Sequence, residues 1–245
     1  SCESLITSDK LFWIVFDVVY SYSNFNELNL QDWERVLSRY DRLSNDEYYA
    51  ERCRKIKGDI VAKHSKNTKS IFLASIAYVY KPTDEKMSEN SPLSPDSHYA
   101  MSKLSMEYLC KANSGRIRLI VIRPFNYTGC GQDINFFIPK IVKLFRERQN
   151  IIELGNLNVE REFNDVQWYA SVVTSLLEIP NTEGTFNICT GVSHKLTKII
   201  ETLERISDHK PLIKVIDNLV RKDEKIRVCG DPKKLFDRLN SHNLL

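Results

Sequence analysis

Two apolar runs, Ile71 to Ala74 and Ile117 to Ile122, bracket a segment in which a helix has only one place to start. Pro92 and Pro95 cannot be helix interior, because proline lacks the amide hydrogen and its ring clashes with the preceding turn. Ser97 follows, with a side-chain oxygen suited to capping the first free amides. The reading is strand, extended approach, helix, strand.

The same alternation continues downstream. Ile134 to Arg148 has helical periodicity, Ile151 to Leu154 reads as a short strand and Val166 to Leu177 as a helix ending before Pro180. Thr185 to Cys189 returns as a strand, and Leu196 to Ile206 as a helix. Alternating strands and helices favour an α/β fold with a doubly wound parallel sheet, in which ligands sit at the carboxyl ends of the strands. Asn126, just past the Ile117 strand, falls at such an end.

The helix that Ser97 opens carries the chemistry. Tyr99 and Lys103 are one turn apart and project from one face. An ammonium beside a phenol favours phenolate, which suits the hydroxyl to general acid or base work near neutral pH. Among 11 tyrosines such a pair also arises by accident, so its surroundings must supply the specificity.

Composition excludes several classes. A chain of 245 residues buries a substantial core without metals or disulfides. Cys2, Cys53, Cys110, Cys130, Cys189 and Cys229 show no close pairing, which argues against zinc and against a disulfide framework and fits a reducing cytoplasm. The net charge of +3 is modest, and Lys63, Lys66 and Lys69 read as a solvated loop; no aromatic-rich basic stripe suggests nucleic acid. Leu11 to Tyr20 is too short for a membrane span and carries Asp17, and no basic leader precedes it.

From Ile71 onward, several segments agree in order with one family: the strand ending at Tyr80, SPDSHYAMSK through Lys103, RPFNYTGCGQ from Arg123, NFFIPKI from Asn135, ELGNLNVEREFNDV from Glu153, FNICTG from Phe186 and the tract from Arg221 to Lys234. The chain resembles the extended short-chain dehydrogenase/reductase family, in its nucleotide-sugar branch related to GDP-mannose 4,6-dehydratase and GDP-4-keto-6-deoxymannose reductase. The resemblance implies a Rossmann-like sheet with a small carboxy-terminal substrate lobe. It divides the chain into a core over residues 1–125 and, over 126–245, remaining core elements interleaved with that lobe. It further implies that Tyr99 transfers the proton, that Lys103 tunes it and holds the nicotinamide ribose of NAD or NADP, and that Asn126, Lys140, Arg161, Arg221 and Glu224 line a pocket for a nucleotide-sugar, a GDP-sugar foremost. Guanidinium forks bind a diphosphate bidentately, while a lysine contributes a more adaptable point charge. A homodimer is expected from the same resemblance.

Departures accompany the matches. The resemblance places a catalytic serine or threonine four residues before Tyr80, where this chain has Ile76, and a glutamate two residues before it, where this chain has Tyr78. Ser75 could replace the missing hydroxyl only if the strand end shifted, since neighbouring strand residues face opposite ways. A dinucleotide-binding turn wants glycines, yet none precedes Gly58. With Ser4 to Thr7 as the first strand, the glycine positions would be Ser8, Leu11 and Ile14; Phe12 to Tyr20 reads as a single buried strand or two abbreviated elements run together, and Leu30 to Tyr40 and Asp46 to Lys63 as helices of an abbreviated front half. Two readings therefore stand: an NAD(P)-linked 4-keto reductase or epimerase, or a catalytically silent subunit that needs no cofactor and still holds a sugar nucleotide or serves an assembly.

Overall fold

The computed structural model describes residues 13–15, 70–114, 118–216, 218 and 225–242. The chain divides into two compact units. One comprises Ser1–Tyr80, Leu93–Arg123 and Ile179–Phe186, and the other Lys81–Pro92, Pro124–Glu178 and Asn187–Leu245.

The first unit is built on a sheet of strands β1 (Trp13–Val15), β2 (Ser70–Ala74), β3 (Arg118–Pro124) and β8 (Gly184–Ile188), side by side in that order. β1 runs parallel to β2, and β2 runs parallel to β3 with Leu73 opposite Val121. Parallel neighbours need a crossover, and helix α1 (His98–Asn113) provides it. Ser97 caps this helix as its position in the sequence predicts: its Oγ accepts from the Ala100 amide at 3.2 Å. Ile71, Leu73 and Val121 on the sheet pack against Met106 and Cys110 on α1. Burying each such aliphatic side chain is worth about 1.5–3 kcal/mol.

An ion pair sits in the same interface. Arg123 Nε donates to Glu107 Oε1 at 3.0 Å and its Nη2 to Oε2 at 2.6 Å, with both side chains almost fully buried. The guanidinium also lies 4.8 Å from the ring centroid of Tyr80. Burial by itself pulls the Arg123 pKa down; the Glu107 hydrogen bonds and the charges of Tyr80 and Glu107 outweigh it and hold the group above its ordinary value.

The second unit has its own core. β5 (Ile151–Leu154) pairs in parallel with β10 (Leu212–Val215). Ile152 and Leu154 face inward onto Ile141 and Phe145 of α2 (Phe137–Arg146) and Ile200 of α4 (Leu196–Ser207). A three-stranded sheet places β6 (Glu160–Glu162) between β11 (Arg227–Val228), parallel to it, and β9 (Ser193–Lys195), antiparallel. β4 (Tyr127–Thr128) and β7 (Asn164–Asp165) form a parallel pair that leads into α3 (Val166–Glu178); α5 (Lys233–Asn240) lies near the carboxy terminus.

The helix expected from Ile134 starts three residues later, because Asp133 first closes a turn: its Oδ1 accepts from the Asn135 amide at 2.7 Å and its carbonyl from Phe136 at 3.1 Å. Ile14 requires a correction. Counted from Ser4 to Thr7 it falls at a glycine position of a phosphate-facing turn; it lies instead in the middle of β1 opposite Phe72, in ladder register, inside the apolar run Phe12 to Tyr20 that also reads as strand. Backbone committed to a sheet ladder is not offered to an anion. The expected strand Ser4 to Thr7, Ser8, Leu11, both amino-terminal helices and the Lys63 to Lys69 loop lie outside the described residues. No helix among the described residues is long and apolar enough to cross a membrane.

Removing one partner of a buried pair strands the other charge, so Glu107→Gln should lower the unfolding free energy by about 3–5 kcal/mol in urea denaturation. A loss below about 1 kcal/mol would mean that the pair is solvated like a surface ion pair.

Candidate active site

Tyr99 and Lys103 stand at the start of α1, where the Ser97 cap fixes the first turn. Lys103 is 5 % exposed, and its Nζ donates to the carbonyl of Ala74, the last residue of β2, at 3.0 Å. The ammonium lies 5.5 Å from the centroid of the Tyr99 ring, and Tyr99 itself is 49 % exposed. A buried cation tied to the carboxyl end of a parallel strand thus sits beside a phenol open to solvent. A fixed ammonium of this kind donates to hydroxyls, and the phenol can exchange a proton with a group that approaches it.

The neighbouring strand end lacks the expected hydroxyl. Ser75 N donates to Ile122 O at 2.8 Å, which continues the ladder one residue beyond β2. Ser75 therefore stays in phase with Ile71 and Leu73 on the face that α1 covers, and Ile76 takes the opposite phase with an extended backbone (φ −148°, ψ 158°). The strand end has not shifted to bring a serine to the position of Ile76. The Ser75 Oγ is buried with no hydrogen-bond partner among the described residues. Tyr78, where the resemblance puts a glutamate, lies in the short 3-10 turn Ala77–Val79.

The pocket residues expected from the sequence belong to the second unit. Arg161, on β6 and 8 % exposed, donates from Nη1 to Glu160 O at 2.9 Å and to Ile226 O at 3.4 Å. The Asn126 carbonyl accepts from both the amide (2.9 Å) and the Nδ2 (3.3 Å) of Asn164. Arg161 thus lies three residues before Asn164, the residue that holds the Asn126 carbonyl. Lys140 is carried exposed on α2, a separate element. Arg221 and Glu224 lie outside the described residues.

Sequence reasoning passed over Glu162. It is 0 % exposed, and its carboxylate accepts from the amides of Thr190, Gly191 (3.1 Å) and Gly230 (3.1 Å) and from the Thr190 hydroxyl (3.0 Å). Its donors lie 28, 29 and 68 residues along the chain, so no local pattern marks it.

The pattern of the NAD dependent epimerase/dehydratase family matches residues 44–189, more than half of the chain. The chain belongs to that family. Within this epimerase/dehydratase family it is 36 % identical over 168 residues to the GDP-6-deoxy-D-talose 4-dehydrogenase of Aggregatibacter actinomycetemcomitans, a match covering 68 % of this chain and 57 % of the relative. The chain spans about half the length of the curated relatives it matches. Its structure superposes on that of a putative epimerase from Burkholderia cenocepacia J2315 with a TM-score of 0.71 and 26 % identity, covering 86 % of this chain and 75 % of that one. RMD from Pseudomonas aeruginosa, solved with NADPH, gives a TM-score of 0.63 and 26 % identity over 74 % of this chain and 71 % of that one. The Rossmann-like α/β fold and the nucleotide-sugar branch expected from the sequence are both those of this family.

A buried hydroxyl without a partner is a desolvation cost that alanine removes. Ser75→Ala should therefore raise the unfolding free energy by about 1 kcal/mol. A loss of comparable size would show that the Ser75 Oγ has a partner in solution.

Proposed function

We propose that the chain is a nucleotide-sugar-modifying enzyme of its family, a 4-keto reductase or epimerase acting on a GDP-sugar with NAD or NADP. The observation that carries this reading is the anchored Lys103 ammonium beside the half-exposed Tyr99 phenol. The GDP-6-deoxy-sugar names of two curated relatives support the substrate class.

The donor chemistry at this end fits a nicotinamide ribose, because a fixed ammonium donates to hydroxyls that accept. When bound, the nicotinamide supplies the hydride chemistry. Tyr99 gives or takes the proton at the sugar oxygen through its Oη, and Lys103 holds that phenol and the ribose in place. In the second unit, Arg161 offers a guanidinium fork for the diphosphate, with Lys140 and Arg221 as further cations and Asn126 and Glu224 as polar contacts to the sugar nucleotide. Cytoplasmic residence and a homodimer belong to the same reading, as does the division of roles between a core over residues 1–125 and a substrate lobe interleaved with core elements over 126–245.

A second reading rests on Ile76. An isoleucine at the strand end donates no hydrogen bond to a substrate oxygen, and Ser75 lies in the opposite phase. That favours a silent subunit which holds a sugar nucleotide or serves an assembly without turnover.

Replacing Tyr99 by phenylalanine separates the two. For the enzyme, saturable NADH or NADPH binding accompanies turnover of a GDP-4-keto-6-deoxy-sugar, and Tyr99→Phe lowers kcat by about 10²–10⁴-fold, the usual worth of a positioned general acid or base. Unchanged turnover in that variant excludes Tyr99 as the proton donor. GDP-sugar binding with no dinucleotide binding and no turnover selects the silent subunit.

A further inference from the structure

The second unit contains a polar chain, buried at Glu162 and Asn164 and half-buried at Thr190, that ends on one of the proposed pocket residues. It begins at Glu162, whose four donors include three backbone amides brought in from distant turns. Two of those amides belong to glycines that leave room for the approach. Gly191 has a left-handed backbone (φ +76°), and a Cβ there would lie 2.8 Å from Pro232 Cδ; at Gly230 a Cβ would lie 2.5 Å from Cys189 Sγ. The carboxylate is thus a fixed point between β6, the turn after β8 and the segment after β11.

From that point the Thr190 hydroxyl extends the chain. Its Oγ1 lies 3.0 Å from Glu162 Oε1 and also 3.0 Å from Asn164 Oδ1. A hydroxyl has one proton, so the two acceptors share it. The contact defines which end of the Asn164 amide faces Thr190. It thereby turns Nδ2 toward the Asn126 carbonyl, which also receives the Asn164 backbone amide. Asn164 is itself buried, so a lost contact is not replaced by bulk water. At the other end of the network, Arg161 is the residue immediately before Glu162 on β6.

We infer that Thr190 is a positioning residue: through Asn164 it sets the Asn126 turn, and with Glu162 it holds Arg161 in register for a nucleoside diphosphate. The inference rests on the nucleotide-sugar reading and deepens it, by naming a hydroxyl that touches no ligand yet governs how well one is held. A purely architectural role predicts lost stability with unchanged affinity. A positioning role predicts lost affinity that a hydroxyl restores.

The test is GDP binding by isothermal titration calorimetry to the full chain and its variants, with thermal melts followed by circular dichroism. Thr190→Val keeps the shape and removes the hydroxyl, and its Kd for GDP should rise about tenfold, the equivalent of one buried acceptor left unsatisfied. Thr190→Ser, which keeps the hydroxyl, should bind within about twofold of the unsubstituted chain, since the shared proton is retained. Should the valine variant not fold, Thr190→Ala carries the same comparison against Thr190→Ser. Unchanged affinity without the hydroxyl overturns the inference and leaves the functional reading standing, as does a serine variant as weak as the valine one. No GDP binding by the unsubstituted chain overturns the functional reading and this inference together.

Discussion

The Lys103 ammonium, buried and donating to the carbonyl of Ala74, is the constraint on which the candidate active site depends. Removing a cation from water is costly, and it persists inside only where oxygen ligands receive it. Here one of those oxygens is at the carboxyl end of β2, so the first turns of α1 are held where a Rossmann-like sheet presents its ligands. Tyr99, one turn earlier, is then displayed to solvent by the same anchor. The Ser97 cap fixes where the helix begins, and the aliphatic layer of Ile71, Leu73 and Val121 against Met106 and Cys110 fixes which face turns inward.

The two units solve the burial of a carboxylate differently. Glu107 meets a guanidinium, which pairs charge with charge and leans on the Tyr80 ring. Glu162 meets backbone amides and a hydroxyl, with no counter-ion among its hydrogen-bond donors in the described residues. The first arrangement joins a helix to a strand. The second gathers loops, the kind of segment that commonly carries binding residues.

Local chemistry made much of this legible in the sequence. The Ser97 cap, the start of α1 after Pro95 and the Tyr99–Lys103 pair follow from residue type and spacing, and Ile151–Leu154 is a strand as its apolar run implies. The short strands β4, β6, β7, β9 and β11, of two or three residues each, were not legible, because a period-two pattern cannot be read over so few positions. Glu162 was hidden for another reason: in EREF it looks like one more solvated charge, and only folding brings Thr190, Gly191 and Gly230 to it. Ile14 shows the limit of motif counting, since counting forward from an assumed first strand placed a turn where the chain forms a ladder.

On the proposed function, Tyr99, displayed by an anchored Lys103, is the group that meets the sugar. The most direct measurement is a crystal structure of the chain soaked with a GDP-sugar. The sugar ring should place a hydroxyl or carbonyl oxygen within about 2.6–3.2 Å of the Tyr99 Oη, the reach of a general acid or base. A fully occupied GDP-sugar that makes no contact with Tyr99 would contradict it.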